Sequence, residues 1–336
     1  MNADVHTSVT RIADLEERSY DVDPLPTEDW STGDYVLGRI TRRPNPGVRV
    51  ENPRGRRVEP LEGETLVGAL GTRRATRELV GGWRDVGEDG LMHVMTGGGV
   101  LGRATSLSPF TQTPIEVQYR GHVSLGSDRA RMGTYALESA STAFETPVVL
   151  VFGTSMSSGK TVSGRVVTRV LVEEGYDVAA CKLTGAGTYG DVLSMEAAGA
   201  APIYDFVDAG LPTTVVPERT YRAAIDGLLG TIEGHAPDVL VVEAGASPLE
   251  PYNGEAAVEM IADQVAFSVL CASDPYAVVG IEEAFGKSAD VVAGIATNTT
   301  AGIDLVEELS DCTALNLQRE AAKEPLRERL VAALPT

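Results

Sequence analysis

The nine residues Gly153-Thr154-Ser155-Met156-Ser157-Ser158-Gly159-Lys160-Thr161 follow the apolar run Val148 to Phe152 and lead into a helical stretch. That order, a buried strand, a loop of small residues and a helix, constrains the fold more tightly than any other part of the chain. Small side chains let backbone N–H groups wrap an anion, and a helix N-terminus directs its positive dipole end at the same point. Lys160 adds a mobile cation suited to β- and γ-phosphates, and Thr161 a hydroxyl suited to Mg²⁺. Gly153 through Thr161 are therefore candidate nucleotide-binding residues, with Lys160 also a candidate catalytic cation. Five residues rather than four separate Gly153 from Gly159, so Thr154 stands where the usual loop has its first glycine.

From 148 to 336 the pattern alternates strand and helix, which predicts a doubly wound parallel sheet of the α/β class. Apolar strands are expected at Asp177–Lys182, Val239–Val242, Val265–Cys271 and Val291–Ala296. Helices are expected at Thr161–Glu174, Val192–Ala198, Thr220–Glu233, Glu255–Ala262, Val278–Ser288 and Gly302–Leu309. Residues 31–147 read instead as a smaller β-rich domain, with strands at Tyr35–Ile40, Leu91–Met95, Ile115–Tyr119 and His122–Leu125. One helix is expected there at Thr65–Trp83, and Gly97-Gly98-Gly99 and Gly102 read as turn glycines. Residues 1–30, acidic and bearing Pro24 and Pro26, read as an arm or irregular cap.

Open α/β sheets bind ligands beyond the carboxyl ends of their strands, so the polar residues after each apolar run are the ones to weigh. Lys182 ends the second strand of the α/β domain, Asp191 follows the glycine-rich turn Gly185 to Gly190, and Glu243 follows Val239 to Val242. A carboxylate delivered by a strand to the nucleotide face is what a second Mg²⁺ anchor needs, which nominates Glu243 beside Thr161. Asp191 stands where it can be the N-cap of the helix that follows it, a reading held even with the metal role that the resemblance named below implies. Asp205 and Asp208, three apart, are a carboxylate pair or loop-capping residues. Glu250, Asn253 and Glu255 read as a solvated turn.

The loop spacing and its Gly-Thr-Ser opening resemble dethiobiotin synthetase and its relatives, whose loops read Gly-Thr-Asp-Thr-x-x-Gly-Lys-Thr. Ser155 replaces the aspartate. Related loops occur in the cobyrinic acid amide synthases and in domain-of-unknown-function family 1611. The resemblance covers roughly residues 148–316 and none of the first 147. It implies a Mg²⁺-dependent enzyme that uses ATP or another NTP to activate or ligate a small acidic substrate. It further implies catalytic roles for Lys160 and Lys182, Mg²⁺ contacts from Thr161, Glu243 and Asp191, and a base contact from Asn298. Leu183 stands where those relatives have a proline, and Glu243-Ala244-Gly245-Ala246 where they show Glu-Gly-Ala-Gly. Ser155 also occupies the position of the signature lysine of MinD- and ParA-type ATPases, which argues against a dimerising switch of that kind. A regulatory NTPase and a binding module with structural nucleotide are the other classes open to the chain.

Net charge is −20, from 48 acidic against 28 basic residues, and only four of the 28 are lysines (160, 182, 287 and 323). Dense carboxylate with little lysine resembles the proteins of salt-accumulating halophiles, where concentrated salt screens self-repulsion. Lysine scarcity also makes Lys160 and Lys182, both at strand ends, stand out. Cys181, Cys271 and Cys312 lack metal or redox spacing, the N-terminus lacks an apolar leader, and no apolar stretch approaches the ~18 residues that span a bilayer. A cytoplasmic protein without disulfides or membrane partners is expected, and a homodimer is compatible with the sequence. Arg39 to Arg57 carries seven arginines against the single acid Glu51. No aromatic stacking series accompanies them, so the segment reads as a hairpin paired with nearby acids rather than a nucleic-acid surface.

Overall fold

The computed structural model describes residues 2–138, 142–245, 247–286 and 288–334. Ala246 and Lys287, assigned from the sequence to the Glu243 loop and to a helix, lie outside them. The chain divides into two compact units. One comprises Met1–Glu138, Ala186–Gly190 and Phe206–Pro217, and the other the remaining segments Ser139–Gly185, Asp191–Asp205 and Glu218–Thr336.

The second unit is the expected α/β layer structure. Its strands are β1 (Val148–Gly153), β2 (Val178–Thr184), β3 (Ile203–Asp205), β4 (Val239–Ala244), β5 (Val265–Ala272), β6 (Val291–Gly294) and β7 (Thr313–Ala314). They form one parallel sheet in the order β3-β2-β4-β1-β5-β6-β7. Every residue of β1, β2 and β4 is buried, so side chains on both faces of the central sheet are covered. The helices are α1 (Lys160–Glu173), α2 (Gly190–Glu196), α3 (Glu218–Glu233), α4 (Gly254–Met260), α5 (Pro275–Phe285), α6 (Thr300–Leu309) and α7 (Lys323–Ala333). Helix α1 buries Ser163, Val167, Val170 and Leu171 at helical spacing, and Gly175 at φ 90° turns the chain away after its last residue. Because β1 sits between β4 and β5, the carboxyl ends of β1, β2 and β4 lie side by side where the strand order reverses.

The first unit is built on a closed ring of strand pairings. Thr65–Leu70 pairs with Tyr35–Arg42, which pairs with Glu116–Leu125, then Leu91–Val94, then Val100–Leu107. Val100 and Leu101 pair back, in parallel, with Ala69 and Leu70, and this contact closes a five-stranded barrel. Val36, Ile40, Leu66, Leu70, Met92 and Leu101 fill its core. Residues 65–83, expected as a helix, form three strands instead. Gly68 and Gly71 are the cause: a Cβ on Gly68 would lie 2.3 Å from the Gly99 carbonyl oxygen, and one on Gly71 2.6 Å from Val100. Gly68 marks a close approach between backbones and Gly71 a close approach of the Val100 side chain, rather than weak points in a helix. The two expected strands Ile115–Tyr119 and His122–Leu125 are one, whose register shifts between Tyr119 and Gly121. Gly102 lies within a strand rather than a turn.

The N-terminal segment packs into the first unit, as a cap rather than an extended arm would. Val5–His6 pairs with Leu66–Val67, Asp21–Asp23 pairs with His122–Ser124, and Val9, Ala13 and Leu15 are fully buried. Two short segments from the C-terminal half of the chain also belong to this unit, where the Gly187 N–H donates to the Pro212 carbonyl at 3.0 Å. The buried Glu51 carboxylate accepts from the Tyr189 and Gly190 amides at 2.8 and 3.3 Å. The one acid of the arginine-rich segment thus anchors the turn that leads into α2.

The carboxylate excess bears on stability. Acids outnumber Lys and Arg by 20 (48 against 28), so folding concentrates negative charge. Thermal unfolding should therefore move up by roughly 5 °C or more between dilute buffer and molar KCl, as the screening length contracts to about 3 Å. A melting temperature that stays flat or falls with KCl contradicts the high-salt reading.

Candidate functional site

The loop after β1 folds back over its own strand end, and its glycines mark where it does so. A Cβ on Gly153 would lie 2.6 Å from Ser158 Oγ and 3.0 Å from Lys160 Cδ, so a side chain there would displace both. Gly159 takes φ 109°, which a glycine adopts without cost, and Ser157 holds the left-handed conformation at φ 60°. Thr154, in the position of the missing glycine, ties the loop to the end of β5: its N–H donates to the Cys271 carbonyl at 3.1 Å, and its Oγ accepts from the Ser273 amide at 3.1 Å. No side chain caps α1, so its first N–H groups stay available at the loop.

Lys160 is 6% exposed and its Nζ donates to the Ser155 carbonyl at 2.7 Å. Burial lowers its pKa, although Glu243, Cys271 and Glu250 pull the other way. Thr161 Oγ lies 3.2 Å from Asp191 Oδ1 and 3.5 Å from Glu243 Oε1. Lys182 pairs with Asp191 and is 5% exposed. Burial alone would lower the Lys182 pKa, but attraction from Asp191 and Glu243, the Asp191 hydrogen bond and attraction from Asp205 outweigh it and hold the amine charged. Two glycines make room for this lysine. Gly185 at φ 132° passes its Cε, and a Cβ on Gly245 would lie 2.2 Å from the Thr184 carbonyl. Glu243 faces Val151 of β1 and Lys182 of β2 in register. Burial and the nearby Asp191 charge raise its pKa against the pull of Lys182, Lys160 and the Thr161 hydrogen bond.

Thus Lys160, Thr161, Lys182, Asp191 and Glu243 meet at the carboxyl ends of β1, β2 and β4. Asp191 lies inside the first turn of α2 and turns its carboxylate to Lys182 and Thr161. The group also fits a hard divalent cation. Thr161, Asp191 and Glu243 offer only oxygen donors, and Glu243 Oε2 is buried with no hydrogen-bond partner. Among the described residues no group of three or more His, Cys, Asp and Glu could hold a metal alone. Two carboxylates and a hydroxyl suit a cation that shares its shell with phosphates.

Other candidates fall elsewhere. Asn298 follows a short 3₁₀ turn, is exposed, and its carbonyl accepts from Asn316 Nδ2 at 3.5 Å. The small cleft beside Gly159 has Gly294, Ile295, Asn316 and Gln318 in its lining. Those two amides follow β7, a strand of two residues and too short for its pattern to be seen in the sequence. Asp205 is fully buried at the end of β3, whereas Asp208 pairs with Arg11 at 2.9 Å in the first unit. Glu250 is buried and not a solvated turn residue, while Glu255 is exposed. In the first unit Arg42 pairs with Glu116 at 3.1 Å, Arg43 with Glu59, and Arg54 with Glu17 at 3.3 Å. The three cysteines are free and buried, and no helix among the described residues is long and apolar enough to cross a membrane.

No protein-family model and no curated protein matches the chain. Among solved structures it is similar to the signal recognition particle receptor FtsY from Elizabethkingia anophelis, at 12% identity and TM-score 0.36 over 56% of this chain and 66% of that one. It is similar to the hydrogenase maturation factor HypB from Archaeoglobus fulgidus, at 12% identity and TM-score 0.38 over 57% and 91%. A DUF1611 family protein from Anabaena variabilis is matched at 16% identity and TM-score 0.39 over 58% and 62%. The match thus spans just under two thirds of the FtsY chain and of the DUF1611 chain.

Proposed function

We propose that the second unit binds ATP or another nucleoside triphosphate with Mg²⁺ and uses it to activate or ligate a small acidic substrate, as the resemblance to dethiobiotin synthetase implies. The observation that carries this reading is the convergence of Lys160, Thr161, Lys182, Asp191 and the unpartnered Glu243 Oε2 at the end of a strand, glycine loop and helix. The loop amides and the start of α1 bind phosphate oxygens, and Lys160 exchanges the Ser155 carbonyl for one of them. Lys182, fixed and kept charged by Asp191, stabilises negative charge on a phosphoryl group in transit. Mg²⁺ held by Thr161, Glu243 and Asp191 would supply further charge neutralisation. The amides of Asn316 and Gln318 beside Gly159 offer a base both donors and acceptors, which supports a contact there. Incubation with γ-labelled ATP and a metabolite mixture in high KCl tests the reading. A phosphorylated or ligated product supports it, and hydrolysis that responds only to a protein partner favours a regulatory switch instead.

We infer that the arginine-rich segment takes no part in this chemistry. Replacing Arg54, Arg56 and Arg57 together by alanine should leave nucleotide hydrolysis within about twofold of wild type, as expected for surface side chains. No RNA or DNA binding is expected above roughly half-molar salt, where counterion release gives little affinity. Tight, arginine-dependent nucleic-acid binding at that salt would instead make the first unit the principal functional element.

A further inference from the structure

A second cationic feature lies on the second unit beyond the phosphate loop. One and two turns into α1, Arg165 and Arg169 stand on the same exposed side. With Lys323 at the start of α7 they rim a groove of about 300 Å³, whose floor includes Val166, Val170 and Ala198. Arg169 is paired with Glu173 at 2.7 Å and Lys323 with Glu320 at 2.8 Å. Three cations against the two acids Glu173 and Glu320 leave this rim one positive charge in excess (3 − 2), in a chain whose net charge is −20. Such a groove, within the size range of small-molecule sites, offers a carboxylate its charge and a short hydrocarbon body its burial.

We propose that this groove is a second ligand site, for a small amphipathic organic anion such as an aliphatic dicarboxylate. Arg165 and Arg169, about 6 Å apart along the helix, take the carboxylates. Lys323 completes the rim, and the valine and alanine floor takes the methylenes. An inorganic anion of equal charge gains no floor contact, and an uncharged diol of equal length gains no rim contact. The site recognises the combination.

Titration calorimetry with suberate tests this on the intact chain, without nucleotide. Saturable binding to the wild type is expected, weakened at least tenfold in the Arg165→Ala/Arg169→Ala double variant, with sulfate and 1,8-octanediol binding at least tenfold more weakly than suberate. Both arginines are exposed, and an unchanged melting curve establishes that the variant is folded. Lys160→Ala, which disables the phosphate loop, should bind suberate as the wild type does. The groove and the loop therefore succeed or fail separately. Absence of saturable suberate binding, equal binding by the double variant, or equal binding of sulfate overturns the proposal. Loss of suberate binding in folded Lys160→Ala would place the anion at the phosphate loop and overturn it too.

Discussion

Replacing Lys160 with alanine is expected to weaken triphosphate binding by about 100-fold, the scale of one lost charge-assisted phosphate contact in a buried site. The fold should survive the change. Lys160 is buried at the loop rather than in an apolar cluster, and its hydrogen bond is to a loop carbonyl, that of Ser155. Burial holds its pKa below the ordinary lysine value, so keeping the ammonium in the folded chain costs stability at neutral pH. Alanine removes that cost, and the melting temperature should stay level or rise slightly. Triphosphate titrations and thermal melts on the same preparation check both statements. A folded variant with wild-type affinity would remove Lys160 from the site.

Replacing Glu243 with glutamine should separate metal from nucleotide. Glutamine keeps the size of the side chain, and it resembles the protonated carboxyl that burial and Asp191 favour, so little disturbance of the sheet is expected. It removes the charge that a divalent cation needs. Mg²⁺-dependent turnover should fall by about 100-fold or more, with ATP affinity changed by less than about threefold, the pattern of a contact used in the transition state. Steady-state rates across a Mg²⁺ series, alongside ATP titrations, distinguish the two quantities. Wild-type rate with wild-type metal dependence would mean that Glu243 is not an anchor.

The two units differ in how far their sequences reveal them. In the second, each central strand is a local apolar run covered on both faces, and each run ends in a polar residue, so Lys182 and Glu243 could be located without knowing which strands pair. The first unit depends on contacts distant in sequence. Its barrel closes where Val100 and Leu101 meet Ala69 and Leu70, and Gly68 and Gly71 serve that approach. Read locally, the same small residues suggest a helix. The recruitment of 186–190 and 206–217 into the first unit is likewise tertiary, carried by backbone contacts such as Gly187 to Pro212 that leave no periodic trace. At the site, Asn316 follows a strand of only two residues, too short to leave a pattern, and the burial of Glu250 turns on packing that a proline-containing loop does not announce.

The five side chains at the ends of β1, β2 and β4 are proposed to form a triphosphate and Mg²⁺ site. Isothermal titration of the wild-type chain with ATP in molar KCl, with and without MgCl₂, addresses it most directly. Saturable binding near one ATP per chain that tightens when MgCl₂ is added is the predicted result. A folded chain that binds no nucleoside triphosphate in either condition, or binds it indifferently to Mg²⁺, would contradict it.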